Sequence, residues 1–117
     1  MNDTQKIEKI IEDRRDAHQY LSAKSEVYQA FLTMENATFS AGALDKRTKE
    51  LIAVGISVTA GCESCMEWHI AQALKAGAGK AQVIEAIGVG IEMGGGPATV
   101  SARFAVSALE YHLNEKL

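Results

Sequence analysis

Three side chains with usable chemistry sit close together in Gly61-Cys62-Glu63-Ser64-Cys65-Met66-Glu67-Trp68-His69. If a helix opens at Cys62, then Cys62, Cys65 and His69 are spaced i, i+3, i+7 and share one face. Cα atoms three apart on a helix lie about 5 Å from each other, inside the roughly 4.4–6.8 Å range of a disulfide. The free N–H groups and dipole of a helix start favour a thiolate. His69, one turn beyond Cys65, can take a proton from that thiol or return one to a leaving group. A redox-active pair is therefore the leading reading, and three others stand beside it. Buried cysteines can be small apolar fillers. His69 can be a hydrogen-bonded core histidine. Cys62, Cys65 and His69 can also offer zinc three ligands, enough for a catalytic site completed by water. A structural zinc site wants a fourth ligand, and no second Cys/His pair exists; His18 and His112 are distant in sequence, in helices with a plausible surface face.

Glu50 is the fourth candidate. Beside Lys46, Arg47 and Lys49 it reads most simply as a solvated charge near a helix N-terminus. A hairpin of two helices about Gly61 changes that. His69, eight residues past the turn, then faces about Ala53, and Glu50 lies three residues further, about 4.5 Å at 1.5 Å per residue. An extended glutamate can span that gap and fix the imidazole tautomer.

Positioning these groups requires helices, and the punctuation suits them. Proline occurs once, at Pro97, and the ten glycines cluster where helices should end. No run alternates as a strand does. A first helix is expected over about Thr4–Leu21, with Ile7, Ile10, Ile11 and Leu21 as its apolar stripe. A second covers Ser25 to about Thr38, with Val27, Phe31 and Met34 on one side. Asp45 is a good N-cap for a third, Lys46 to about Ala60. Leu51, Ile52, Val54, Ile56 and Val58 make that helix apolar nearly all round, the mark of a buried element. The fourth runs from Cys62 to about Ala76 and stops at Gly77-Ala78-Gly79. The fifth spans Lys80–Met93, with Val83, Ile84, Ile87 and Ile91 apolar and Ala86, Gly90 and Gly94 along one face for close approach. Pro97 suits the first turn of a sixth helix, to about Asn114, with Val100, Phe104, Ala108 and Tyr111 as its stripe.

The bulk properties bound the function. At 117 residues and 47% hydrophobic content, the chain suits one domain with a real core. A net charge of −3 offers nothing to draw in nucleic acid, and the seven aromatic residues are not interleaved with Lys or Arg. No window has the roughly 18 apolar residues of a membrane span, and the polar N-terminus leads into no signal-peptide core. A cytoplasmic protein is expected, where a Cys-x-x-Cys pair reads as redox-active or metal-binding rather than as a structural staple. Several helices are apolar on more than one face, so a homo-oligomer is expected.

Leu44-Asp45-Lys46-Arg47-Thr48-Lys49-Glu50-Leu51-Ile52-Ala53, followed by Gly61-Cys62-Glu63-Ser64-Cys65, His69 and Ala76-Gly77-Ala78, resembles the alkylhydroperoxidase D-like branch of the carboxymuconolactone decarboxylase family. The resemblance covers roughly residues 40–110. It implies an all-α, single-domain fold of about six helices, with the Cys-x-x-Cys on a central antiparallel hairpin. It also implies assembly into dimers, trimers or hexamers. The implied activity is thiol-dependent reduction of hydroperoxides, with no cofactor and no metal. Carried over, Cys65 attacks the peroxide, Cys62 resolves the sulfenic acid to a disulfide, Glu50 and His69 relay protons, and an external dithiol of protein or lipoyl type reduces the pair. Members that act as decarboxylases generally lack the cysteine pair. One departure stands out: Ser64 occupies the place of a second relay histidine, and a hydroxyl is no base near neutral pH. The alternative is a disulfide reductase or a redox-switched chaperone or binding module.

Overall fold

The computed structural model describes residues 1–117 as six α-helices and no strand. Helix α1 (Asp3–Lys24) starts in a capping box, in which the Asn2 side chain accepts from the Gln5 N–H and Gln5 reaches back to the Asn2 N–H. It runs three residues beyond the expected end. Ser25 alone separates it from α2 (Glu26–Phe39), closing one helix and capping the next through its hydroxyl. Asp45 caps α3 (Lys46–Ala60), accepting from the Thr48 N–H at 2.7 Å. Hydrogen bonding from Thr48, its side chain first and this backbone N–H second, holds the Asp45 carboxyl below its ordinary value. Helices α4 (Glu63–Lys75), α5 (Lys80–Gly94) and α6 (Gly96–Leu113) follow within a residue or two of the boundaries read from the sequence.

Helix α3 is central, packed against α4, α5 and α6, while α1 leans on α6 and α2. Its C-terminus is turned by Gly61, whose φ of 69° is left-handed and cheap only for glycine. That turn sends α4 back along α3 as the expected antiparallel hairpin. Against α5 the approach is backbone to backbone. A Cβ on Gly90 would collide with the Gly55 carbonyl oxygen and sit 2.9 Å from Val58 Cβ. Thr59 Oγ1 uses the closeness to donate to the Gly90 carbonyl at 2.9 Å. The core is one cluster built from Val54, Val58, Met66, Ile70, Val83, Ile87, Phe104, Ala105 and Leu109, with Ile7 as the buried anchor of α1.

Several expected stripes face outward. The molecule is a slab of 40 × 39 × 26 Å, too thin to cover two faces of every helix. Val27, Phe31 and Met34 on α2 are exposed, as are Ile52 and Ile56 on α3 and Ile84 on α5. The buried stripe of α6 is Ala98, Ala102, Ala105 and Leu109, with Phe104 and Ala108 beside it; Val100 and Tyr111 lie outside it. Small alanines let α6 lie close, and the larger Val100 is turned to the surface.

Candidate functional site

A disulfide joins Cys62 and Cys65 with their Cα atoms 5.2 Å apart. Cys62 is the N-cap of α4 rather than its first helical residue, and its sulfur accepts from the Cys65 N–H at 3.2 Å. The pair therefore lies where the unsatisfied N–H groups and positive end of α4 are concentrated. Both cysteines are half-buried, neither sealed in the core nor fully in water.

One turn on, His69 Nδ1 lies 2.7 Å from Glu50 Oε1. The carboxylate accepts from Nδ1–H, which leaves Nε2 as the nitrogen free for acid–base work. Glu50 is 1% exposed, so the reading of a solvated surface charge fails: the hairpin about Gly61 carries it inward. Burial of a charge demands partners, and Glu50 has two, His69 and, at 3.1 Å from its other oxygen, Lys46. The imidazole also lies against Phe39, with ring centroids 5.3 Å apart, which limits its rotation. A small cavity of about 220 Å³ opens beside this pair, lined by Phe39, Lys46, Glu50, Trp68, Asn36 and Gln72 among others. Beside Glu50, its walls carry the polar side chains Glu35, Asn36, Lys46 and Gln72.

A second buried glutamate escaped the sequence reading. Glu67 is 2% exposed, held by His112 Nε2 at 2.7 Å and by Arg14 Nη1 at 2.6 Å. Burial works against its charged form, but the bonds from His112 and Arg14 outweigh it and keep the carboxyl below its ordinary value. His112 thus points into the protein rather than to the surface face expected for it. The available signal was helical register: Glu67 stands one turn before Ile70 and two before Leu74, on the apolar side of α4. No three His, Cys, Asp or Glu side chains come together in a geometry suited to a metal ion. No helix is long and apolar enough to cross a membrane.

The larger concavity, about 550 Å³, lies between α3 and α5 and is walled by Leu51, Ile52, Ile56, Val89 and Met93. It touches none of Cys62, Cys65, His69 or Glu50.

The chain is thus all-helical, with a closed Cys-x-x-Cys at the start of α4 and a Glu50–His69 pair that joins α3 to α4. The chain belongs to the carboxymuconolactone decarboxylase family, whose model matches residues 25–108. It is 41% identical over 88 residues to "uncharacterized protein 4 in cox locus" of Paracoccus denitrificans, covering 75% of this chain and 79% of that one. An uncharacterized protein of Cupriavidus necator is 39% identical over 89 residues, covering 76% of each. Among solved structures, the apo form of a carboxymuconolactone decarboxylase family protein from Legionella pneumophila superposes with a TM-score of 0.84 at 31% identity, over 92% of this chain and 96% of that one. A family member from Thermotoga maritima, for which a role in an antioxidative response has been suggested, gives 0.83 at 27% identity over 91% of both chains.

Proposed function

We propose that the protein is a thiol-dependent peroxidase of the alkylhydroperoxidase type, cycling Cys62 and Cys65 between dithiol and disulfide. The observation that supports this most is the disulfide at the start of α4 with His69 one turn further on the same helix, paired across the hairpin with Glu50 of α3. In the reaction, the Cys65 thiolate attacks one oxygen of the hydroperoxide. An S–O bond forms, the O–O bond breaks, and the departing alkoxide takes a proton to leave as alcohol. His69 is suited to accept the thiol proton at Nε2 and return it to that alkoxide, with Glu50 holding the tautomer and balancing the imidazolium charge. Cys62 then attacks the Cys65 sulfenic acid, forming the disulfide and releasing water. An external dithiol, on a protein or of lipoyl type, supplies two electrons and two protons to reopen it. Such a cycle suits a reducing, cytoplasmic compartment, and the exposed apolar faces of α2, α3 and α5 suit a homo-oligomer.

The test is turnover of an organic hydroperoxide in the presence of a dithiol. Cys65→Ser should abolish it, and Cys62→Ser should stall after one equivalent. Wild-type turnover in both variants overturns the proposal. A second reading, a redox-switched binding module, is favoured by two observations: Ser64 supplies no base next to Cys65, and the α3–α5 groove is apolar. That reading requires oxidation to alter oligomer size or partner binding; identical sizing profiles in both redox states remove it.

A further inference from the structure

The two residues between the cysteines are both held by α1. Lys6 Nζ bonds Glu63 at 2.8 Å, and Arg14 Nη2 bonds the Ser64 carbonyl at 3.1 Å and lies 3.3 Å from its hydroxyl. Arg14 makes two further contacts on α4: its other terminal nitrogen is on Glu67, and its guanidinium lies 5.0 Å from the Trp68 ring centre. Behind it, His112 of α6 pins the far oxygen of Glu67. Arg14 lies outside residues 25–108, the segment that matches the family model.

The ion pair has a direction. The guanidinium touches Ser64, the immediate neighbour of Cys65, while the carboxylate it pairs with is a turn deeper and almost wholly buried. The positive end is therefore the one bonded to a residue between the two cysteines. The other charged groups around that turn nearly cancel: Lys6 is matched by Glu63, and Lys46 by Glu50, which also holds His69. We propose that Arg14 is a positioning residue of the dithiol: fixed on Ser64 and backed by the Glu67–His112 pair, it keeps a positive charge at the cysteine turn and favours the thiolate when the disulfide is open. In this proposal the charge adds to the positive end of α4, where both cysteines sit. The inference rests on the dithiol cycle proposed above but not on the identity of its oxidant.

The experiment is alkylation of the fully reduced protein by iodoacetamide, followed across pH with mass analysis of the Cys62–Cys65 peptide. No peroxide is involved, so its outcome is separate from that of the turnover test. Arg14→Gln should move the alkylation midpoint to higher pH and slow the reaction at pH 7 roughly threefold, the size expected for one partly compensated charge at close range. Arg14→Lys, which keeps the charge but cannot bridge Ser64 and Glu67 together, should fall between. Removing Arg14 alone strands the buried Glu67 charge, so Arg14→Gln/Glu67→Gln, which removes both ends of the pair, is read in the same way if the single variant unfolds. A folded variant of either kind whose pH profile superposes on the wild type overturns the proposal.

Discussion

Replacing Glu50 by glutamine separates its charge from its shape. The amide fills the same buried space and its oxygen can still accept from His69 Nδ1–H at the 2.7 Å position. The amide nitrogen cannot accept from Lys46, but that ammonium is about half exposed and can turn to water at little cost. What is lost is the carboxylate charge facing an imidazolium. A hydrogen bond to a charged group contributes about 1.5–3 kcal/mol and a neutral one about 0.5–1.5 kcal/mol. The difference, about 1–1.5 kcal/mol, falls on the step in which His69 carries the proton. At 1.36 kcal/mol per factor of ten, Glu50→Gln should lower kcat/KM for a hydroperoxide about tenfold. The assay is steady-state peroxide consumption with a saturating dithiol, with circular dichroism to verify the fold. Thermal stability should fall by about 1–3 kcal/mol, because the shape and one bond persist but the buried amide nitrogen faces a donor rather than an acceptor. Full activity in a folded Glu50→Gln protein would refute the role given to the carboxylate.

Other expectations follow from single contacts. Gly90→Ala places a methyl against the Gly55 carbonyl and Val58, so it should cost about 1–3 kcal/mol and lower Tm by about 5–15 °C; Gly88→Ala, which meets open space on the same helix, should be neutral or gain up to about 1 kcal/mol. Because the Glu67 carboxyl is held below its ordinary value of 4.5, it contributes stability that is full above that pH and is lost as pH falls through the lower, folded value. Thermal melts between pH 3 and 5 should therefore show a steeper acid loss for the wild type than for Glu67→Gln. Ile56 is 63% exposed beside the α3–α5 groove, so Ile56→Arg should shift the sizing profile toward smaller species if copies of the chain pair through that face.

Local chemistry made much of this molecule readable in advance. Asp45 acts through its capping carboxylate, and Gly61, the Gly77–Gly79 stop and Pro97 through their own backbone; the helices begin and end beside them. The spacing that brings Glu50 to His69 follows from a hairpin of known rise about one glycine. Side-chain layering was less legible. Apolar periodicity marks which residues of α2 prefer cover, but not whether a single chain 26 Å thick can provide it. The Arg14–Glu67–His112 group was hidden for a related reason. Its members come from α1, α4 and α6, and charges are normally solvated; only tertiary packing converts Glu67 into a buried anion that needs two partners. The short gap at Ser25 was missed because one residue closes α1 and caps α2 at once.

The central claim is that Cys62 and Cys65 form a pair that a hydroperoxide closes. It is met most directly by counting thiols in the reduced protein before and after one equivalent of hydroperoxide, with the mass of the peptide carrying both cysteines. The account predicts that both thiols disappear together and that the peptide becomes lighter by two hydrogens. Two thiols surviving the equivalent of oxidant, or one oxygenated cysteine beside an untouched partner, would contradict it.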